Sequence, residues 1–215
     1  MIISHRKKFA FFANQKTGSK AAGIALRMAG VFDDKDIMSM QPFLGTRTAR
    51  FEMPHRNLNG RNTWKVDHMT PQEAIDEGYI TLDQLREYDC YAFLRNPEDR
   101  YLAARVAMQI NRYGAISKGD NPKPMSGTCP PQHVFFYVGD EQVVTPLDFD
   151  NYEQGLRTMI DKLGGINHLD LPEVVQQAPA KFIKGREVKY DPQLHREDEK
   201  LYRIMKHASN NQQTS

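Results

Sequence analysis

Short, continuous apolar runs alternate with helix-period segments along this chain. Phe9 to Ala13, inside a stretch from Lys8, is a brief aromatic run of the kind that forms a strand buried on both faces. Gly18 to Met28 follows as a helix whose small residues Ala21, Ala22, Gly23 and Ala25 permit close approach to a sheet. Cys90 to Leu94 repeats the apolar-strand pattern. Pro97 to about Arg112 then reads as a helix with Leu102, Val106 and Ile110 along one stripe. Thr70-Pro71 with Glu73, and Thr81, have the spacing of capped helix starts, predicting helices to about Asp76 and Tyr88.

Further on, His133 to Val138 and Val143 to Leu147 suggest short strands around the Gly139-Asp140 turn. Asn151 to Leu163 places Leu156, Met159, Ile160 and Leu163 on one helix face, with Gly164-Gly165 as the stop. A last helix is expected over about Pro192 to His207, with Leu201, Ile204 and Met205 inward. Between these lie a mixed region, 31–63, with a short strand near Ala49 to Met53, and a Gly/Pro/Ser-rich loop, 113–131, with the character of a substrate lid. Strand-then-helix units with long crossovers predict an α/β domain with a central, mostly parallel β-sheet flanked by helices. One domain over 1–208 is expected, with a flexible tail at 209–215.

Bulk properties narrow the field. The 215 residues suffice for one core without disulfides, and the net charge of +2 gives no long-range attraction to nucleic acid. Cys90 and Cys129 build neither a disulfide framework nor a zinc spacing, and Cys90 reads as a core residue. The basic run His5 to Lys8 interrupts Met1-Ile2-Ile3, and no window is long and apolar enough for a membrane span. A soluble, cytoplasmic protein without a membrane partner is the expectation.

Two strand ends carry the candidate chemistry. The first strand runs into Gln15-Lys16-Thr17-Gly18-Ser19-Lys20, a turn that offers backbone N–H groups, a helix N-terminus and a lysine to an anion. The second ends in Arg95-Asn96-Pro97-Glu98-Asp99-Arg100, with one arginine at the strand end and another one helical turn in. Each alone is an ordinary strand-to-helix turn. Together, at the strand ends where open α/β sheets bind ligands, they suit a ligand with two phosphate-like groups. The order Gly18-Ser19-Lys20-Ala21 lacks the leading glycine and trailing hydroxyl of a magnesium-dependent triphosphate loop, which disfavours a P-loop kinase.

Lys16-Thr17-Gly18-Ser19 resembles the 5′-phosphosulfate loop of sulfotransferases that use 3′-phosphoadenosine 5′-phosphosulfate (PAPS). Arg95 through Arg100 resembles their 3′-phosphate motif. The likeness extends to Asp67-His68-Met69-Thr70, to Phe149 through Leu163, to Leu171-Pro172 and to Tyr190, and is nearest to the soluble carbohydrate-type members. It implies a three-layer, P-loop-like fold and metal-independent, in-line transfer of the sulfuryl group to a hydroxyl or amine, on a small molecule or glycan, with release of 3′-phosphoadenosine 5′-phosphate (PAP). By that resemblance Lys16 touches the sulfuryl group and bridging oxygen, the amides from Thr17 through Gly18, Ser19 and Lys20 to Ala21 hold the 5′-phosphate, and Arg95, with Arg100, serves the 3′-phosphate.

Two departures stand out: Lys20 and Ala21 replace hydroxyl residues, and Ala103 replaces a serine. They favour, as the alternative, a non-catalytic nucleotide-binding relative. His68 is the first candidate base, followed by His55 and then the carboxylates Asp67 and Glu52, whereas His168, His195 and His207 read as solvated. Arg47, Arg50, Arg56 and Arg61 read as exposed cations that an acidic acceptor would welcome, and Arg186 as a residue that closes over the nucleotide.

Overall fold

The computed structural model describes residues 1–33, 36–38, 68–113, 130–168, 170, 182–183, 186–187 and 189–212. Its centre is a five-stranded sheet. The strands are β1 (Ile2–Ser4), β2 (Phe9–Phe11), β3 (Ile37–Met38), β4 (Asp89–Leu94) and, after the small β5–β6 hairpin (Tyr137–Val138 and Glu141–Gln142), β7 (Thr145–Asp148), in the order β3-β1-β2-β4-β7. β2, β4 and β7 pair in parallel, and β1 runs antiparallel to both β2 and β3. The sheet is therefore mixed, with β1 alone pointing against the others.

Residues 5–8, expected as a solvated lead-in to a first strand, instead turn the chain between β1 and β2, with Lys8 in the left-handed region at φ 49°. That turn pairs Ile2 with Phe11 and Ser4 with Phe9. Three residues are too short a run to announce β1 as a strand. Its pairing makes the sheet mixed.

Both faces of the sheet are covered, which is why the strands are continuously apolar. Ile2, Phe9, Phe11, Ala13, Tyr91 and Phe93 face one cluster, where they meet α1 (Ser19–Met28) and the helix Tyr152–Lys162. Ile3, Ala10, Phe12, Cys90, Ala92 and Leu94 face the other, with helices α2 (Pro71–Asp76) and α3 (Leu82–Glu87). Adjacent strand residues fall strictly to opposite clusters, as the two-residue period requires. Cys90 is buried as expected, and desolvation pushes its thiol up to about 12.

α2 and α3 begin at capping boxes, Thr70 with Glu73 and Thr81 with Gln84. α4 spans Pro97–Tyr113, α5 is Tyr152–Lys162, and α6 is Arg196–Gln212. Leu156, Met159 and Ile160 are buried along α5, and the chain leaves it through Gly164 at φ 66°. α6 starts later than the pattern predicts and continues through residues expected as a frayed tail. Leu201 and Met205 face inward, but Ile204 is 54% exposed: it lies off the stripe that Asp198, Leu201 and Met205 define. His133–Phe135 forms a 3-10 turn rather than a strand, while Gly139-Asp140 does turn a hairpin, β5–β6. β8 (Phe182–Ile183) and β9 (Arg186–Glu187) make a separate two-stranded ribbon. The strand expected near 49–53, most of the 113–131 loop, Cys129 and Leu171-Pro172 lie outside the described residues. Among the described residues no helix is long and apolar enough to cross a membrane.

Phe93 joins the sheet to α5: it is fully buried and stacks on Tyr152 with ring centroids 4.3 Å apart. Phe93→Ala is expected to destabilise the fold by about 3–5 kcal/mol, read as a shift in the urea midpoint at unchanged slope.

Candidate functional site

The C-terminal ends of β2 and β4 lie side by side, and the segment leaving β2 is held there through its carbonyl groups. Ala13 O accepts from His68 Nδ1 at 2.6 Å. Asn14 O accepts from the hydroxyls of Thr17 and Ser19. Gln15 O accepts from Arg100 Nε at 2.9 Å, and Lys16 O from Arg95 Nη1 at 3.2 Å. Gly18 O accepts from the Tyr152 hydroxyl at 2.9 Å. Carbonyls held in this way leave the positive ends of the peptide groups as the loop's contribution to a ligand.

Lys16 and Gly18 both adopt left-handed backbone, at φ 62° and 71°, and Gly18 is the N-cap of α1 without a side-chain cap. The first-turn N–H groups of a helix have no acceptor within it, so this terminus presents donors and a partial positive charge. Gly18 is required twice over. Its φ suits glycine, and a Cβ there would come within 2.8 Å of Tyr152 Cε2.

The two arginines of the second motif have different positions. Arg95 is half-buried, with its guanidinium carbon 4.8 Å from the centroid of Phe149, and desolvation draws its pKa below the usual arginine value. Arg100, expected as a second phosphate ligand, is 3% exposed and donates to the carbonyls of Gln15 and Pro130. Its placement makes it a brace of the loop. Lys20 is exposed at the start of α1, Ala21 packs against the core, and Ala103 is half-buried on α4. Arg186 belongs to β9.

His68 sits directly before α2. Its Nδ1–H goes to a carbonyl, which fixes Nε2 as the basic nitrogen. Desolvation, then the positive N-terminus, Lys16 and Arg100, lower its pKa to about 4, against the opposing bond to Ala13. The unfolded chain protonates this ring near 6.5, so the folded state loses stability as pH falls from about 6.5 to about 4. His55, Glu52, Asp67, Arg47, Arg50, Arg56 and Arg61 lie outside the described residues. His168 and His207 are exposed, but His195 is not simply solvated: it stacks on Tyr190 at 5.1 Å.

Residues that the sequence does not single out bind the site together. Gln132 is fully buried: its Oε1 accepts from Asn14 Nδ2 and Arg95 N–H, while its Nε2 donates to Arg95 O. Its own N–H donates to Asp198, which also accepts from the His133 backbone and ring. Burial pushes the Asp198 carboxyl up, but the His133 ring, the two N–H groups and the Arg100 charge outweigh it, and the group is held below the ordinary carboxylate range. Asn14 Oδ1 finds no partner among the described residues although Asn14 is fully buried. A lone Gln, Asn or Asp has no spacing signal, and only the fold gathers these three.

Among the described residues no group of three or more His, Cys, Asp and Glu side chains is arranged to hold a metal ion. No family model, characterised protein or solved structure matches the chain. The arrangement itself is that of a rigid, anion-receptive strand–loop–helix turn beside an arginine and an imidazole.

Gly18→Ala is expected to destabilise the protein by about 1–3 kcal/mol in thermal or urea unfolding, because it imposes a strained φ and displaces Tyr152. Gly30→Ala, at a position where an added Cβ meets nothing within 4 Å and φ is 69°, isolates the backbone share of that cost.

Proposed function

We propose that this chain is a PAPS-dependent sulfotransferase with a three-layer, P-loop-like fold, acting on a hydroxyl or amine acceptor such as a carbohydrate. The observation that carries the reading is the loop from Ala13 to Gly18, held by its carbonyls at a strand end, capping α1 and flanked by Lys16 and Arg95. Those residues fit a phosphosulfate: the amides and helix terminus suit an anion, and Lys16 adds a cation at the loop's left-handed bend. Bound PAPS would supply an activated sulfuryl group.

The chain's own residues then position and neutralise. Lys16 offsets charge growing on the bridging oxygen, and the α1 N-terminus holds the 5′-phosphate. Arg95, tied to Lys16 O at the end of β4, supplies the guanidinium whose planar fork matches a 3′-phosphate. Arg100 acts from behind by fixing Gln15. His68 is suppressed as a base by burial first and then by the charges of the N-terminus, Lys16 and Arg100. A bound dianion would cancel those charges and raise its pKa, coupling base strength to nucleotide binding.

Ala103, where the resembled family carries a serine, favours a second reading, a relative that binds the nucleotide without turnover. A magnesium-dependent kinase is supported less: the Thr17 and Ser19 hydroxyls are both given to Asn14 O, and Ala21 has none.

Calorimetric titration with PAP, against ADP and magnesium-ATP, tests the site without an acceptor. Metal-independent binding that needs the 3′-phosphate is expected; preference for magnesium-ATP, or no binding, would sink the proposal. Arg95→Ala should weaken PAP about tenfold or more, whereas Lys16→Ala should retain measurable PAP affinity and lower transfer by about a hundredfold or more. Transfer by wild type separates the enzyme from the non-catalytic relative.

The His68 ring should titrate near pH 4 in the free protein by NMR and move upward when PAP binds. A value that stays put with PAP bound would show that His68 does not sense the loop's occupant.

A further inference from the structure

We propose that Asp198 and His133 form a second proton-accepting centre, which takes the proton of a small hydroxyl- or amine-bearing ligand in the adjoining cavity. Three observations define it. Asp198 is 1% exposed and ionised, held by the N–H groups of Gln132 and His133 at 2.8 Å each. His133 Nδ1 donates to Asp198 Oδ1 at 2.9 Å, so Nε2 is its basic nitrogen. The His133 side chain is 34% exposed and lines a cavity of about 160 Å³ with Pro131, Gln193, Leu194, His195 and Arg196.

The order carboxylate, imidazole, cavity is what proton abstraction requires. The carboxylate fixes the tautomer and orientation and stabilises the imidazolium when it forms. A surface histidine merely capping α6 would not need a buried, fully hydrogen-bonded carboxylate behind it. The His133 ring, the N–H groups of Gln132 and His133 and, last, the Arg100 charge from α4 outweigh burial and keep the carboxylate ionised.

The cavity lining selects the ligand class. Arg196 pairs with Glu197, which also lines the cavity, so their charges cancel locally, and Leu194 adds an apolar wall. A neutral hydroxyl compound, or an amine in its free-base form, fits this wall better than an anion.

The centre differs from His68 in what governs it. His68 is weakened by burial first and by neighbouring cations after it, and its Nδ1–H is held by a backbone carbonyl, whereas the His133 Nδ1–H is held by a carboxylate. The inference rests on the sulfuryl-transfer reading only in that a deprotonated hydroxyl or amine is what such a transfer consumes. In the proton step the ligand's O–H or N–H bond breaks, its proton passes to His133 Nε2, the electron pair stays on the ligand's oxygen or nitrogen, and the imidazolium that forms is offset by the Asp198 carboxylate.

Carbethoxylation by diethyl pyrocarbonate at neutral pH, mapped residue by residue by mass spectrometry on the full chain, tests the dyad without a donor or acceptor. His133 is expected to react faster than the exposed His207, and Asp198→Asn to slow His133 about tenfold while leaving His207 unchanged. Reaction of His133 no faster than His207 would overturn the proposal, as would an unchanged rate in a folded Asp198→Asn protein. If that variant does not fold, the wild-type comparison decides alone. Where wild type transfers sulfate, His133→Gln should lower kcat at unchanged PAP affinity; unaltered kcat would overturn the dyad's role. Failure of PAP to bind would remove the sulfotransferase reading and leave the carbethoxylation result standing.

Discussion

The site depends on who accepts and who donates along six residues. Five of the six carbonyls from Ala13 to Gly18 accept a side-chain hydrogen bond, drawn from His68, Thr17, Ser19, Arg100, Arg95 and Tyr152. A left-handed, non-glycine residue such as Lys16 costs roughly 1–2 kcal/mol, so the bend persists only where its surroundings over-determine it. Four of these donors come from distant parts of the chain, so the loop's shape is a product of the whole fold. A turn held in this way need not reorganise around an anion, which lowers the ordering cost of binding.

The same clamp sets the electrostatics. Arginines that hold carbonyls from behind lend positive charge to the loop while being too buried, in the case of Arg100, to be reached by ligand. His68, whose ring is tied to the first clamped carbonyl, is depressed in basicity mainly by burial, and the charges of Lys16 and Arg100 add to that. An anion in the loop and a proton on His68 therefore favour one another, a linkage that follows from placement and needs no conformational change.

Much of the frame is legible in the sequence because its signals are local. The apolar runs at Phe9–Ala13 and Cys90–Leu94, the capping threonines Thr70 and Thr81, and the stripe of α5 each declare themselves within a few residues. β1 escapes because Met1-Ile2-Ile3 is shorter than any reliable period, and its antiparallel pairing adds one reversed strand to a sheet that is otherwise parallel, as expected. Hydrophobicity points Ile204 inward, whereas the face of α6 is set by Asp198, a charged residue that hydropathy places outside. The site divides likewise. Lys16, Gly18 and Arg95 stand out by position at strand ends and His68 by its place before a capped helix, but the different duties of Arg95 and Arg100 depend on burial, which their shared motif does not encode.

Gln132 shows why the remainder cannot be read. It joins Asn14 after β2, Arg95 after β4 and Asp198 on α6, three segments separated by tens of residues, through bonds that are buried or partly buried. Each polar group in such a network is costly alone and stabilising once partnered, so the network holds the two strand ends and α6 in one geometry. It leaves one acceptor, Asn14 Oδ1, unpartnered among the described residues, and the amide cannot turn over because Nδ2 faces two acceptors, Phe93 O and Gln132 Oε1. A fully buried orphan oxygen costs roughly 1–3 kcal/mol. Its position, at the root of the clamped loop and one residue beyond the carbonyl that holds His68, places that cost where ligand chemistry would be done, the usual location of unsatisfied groups that a fold retains.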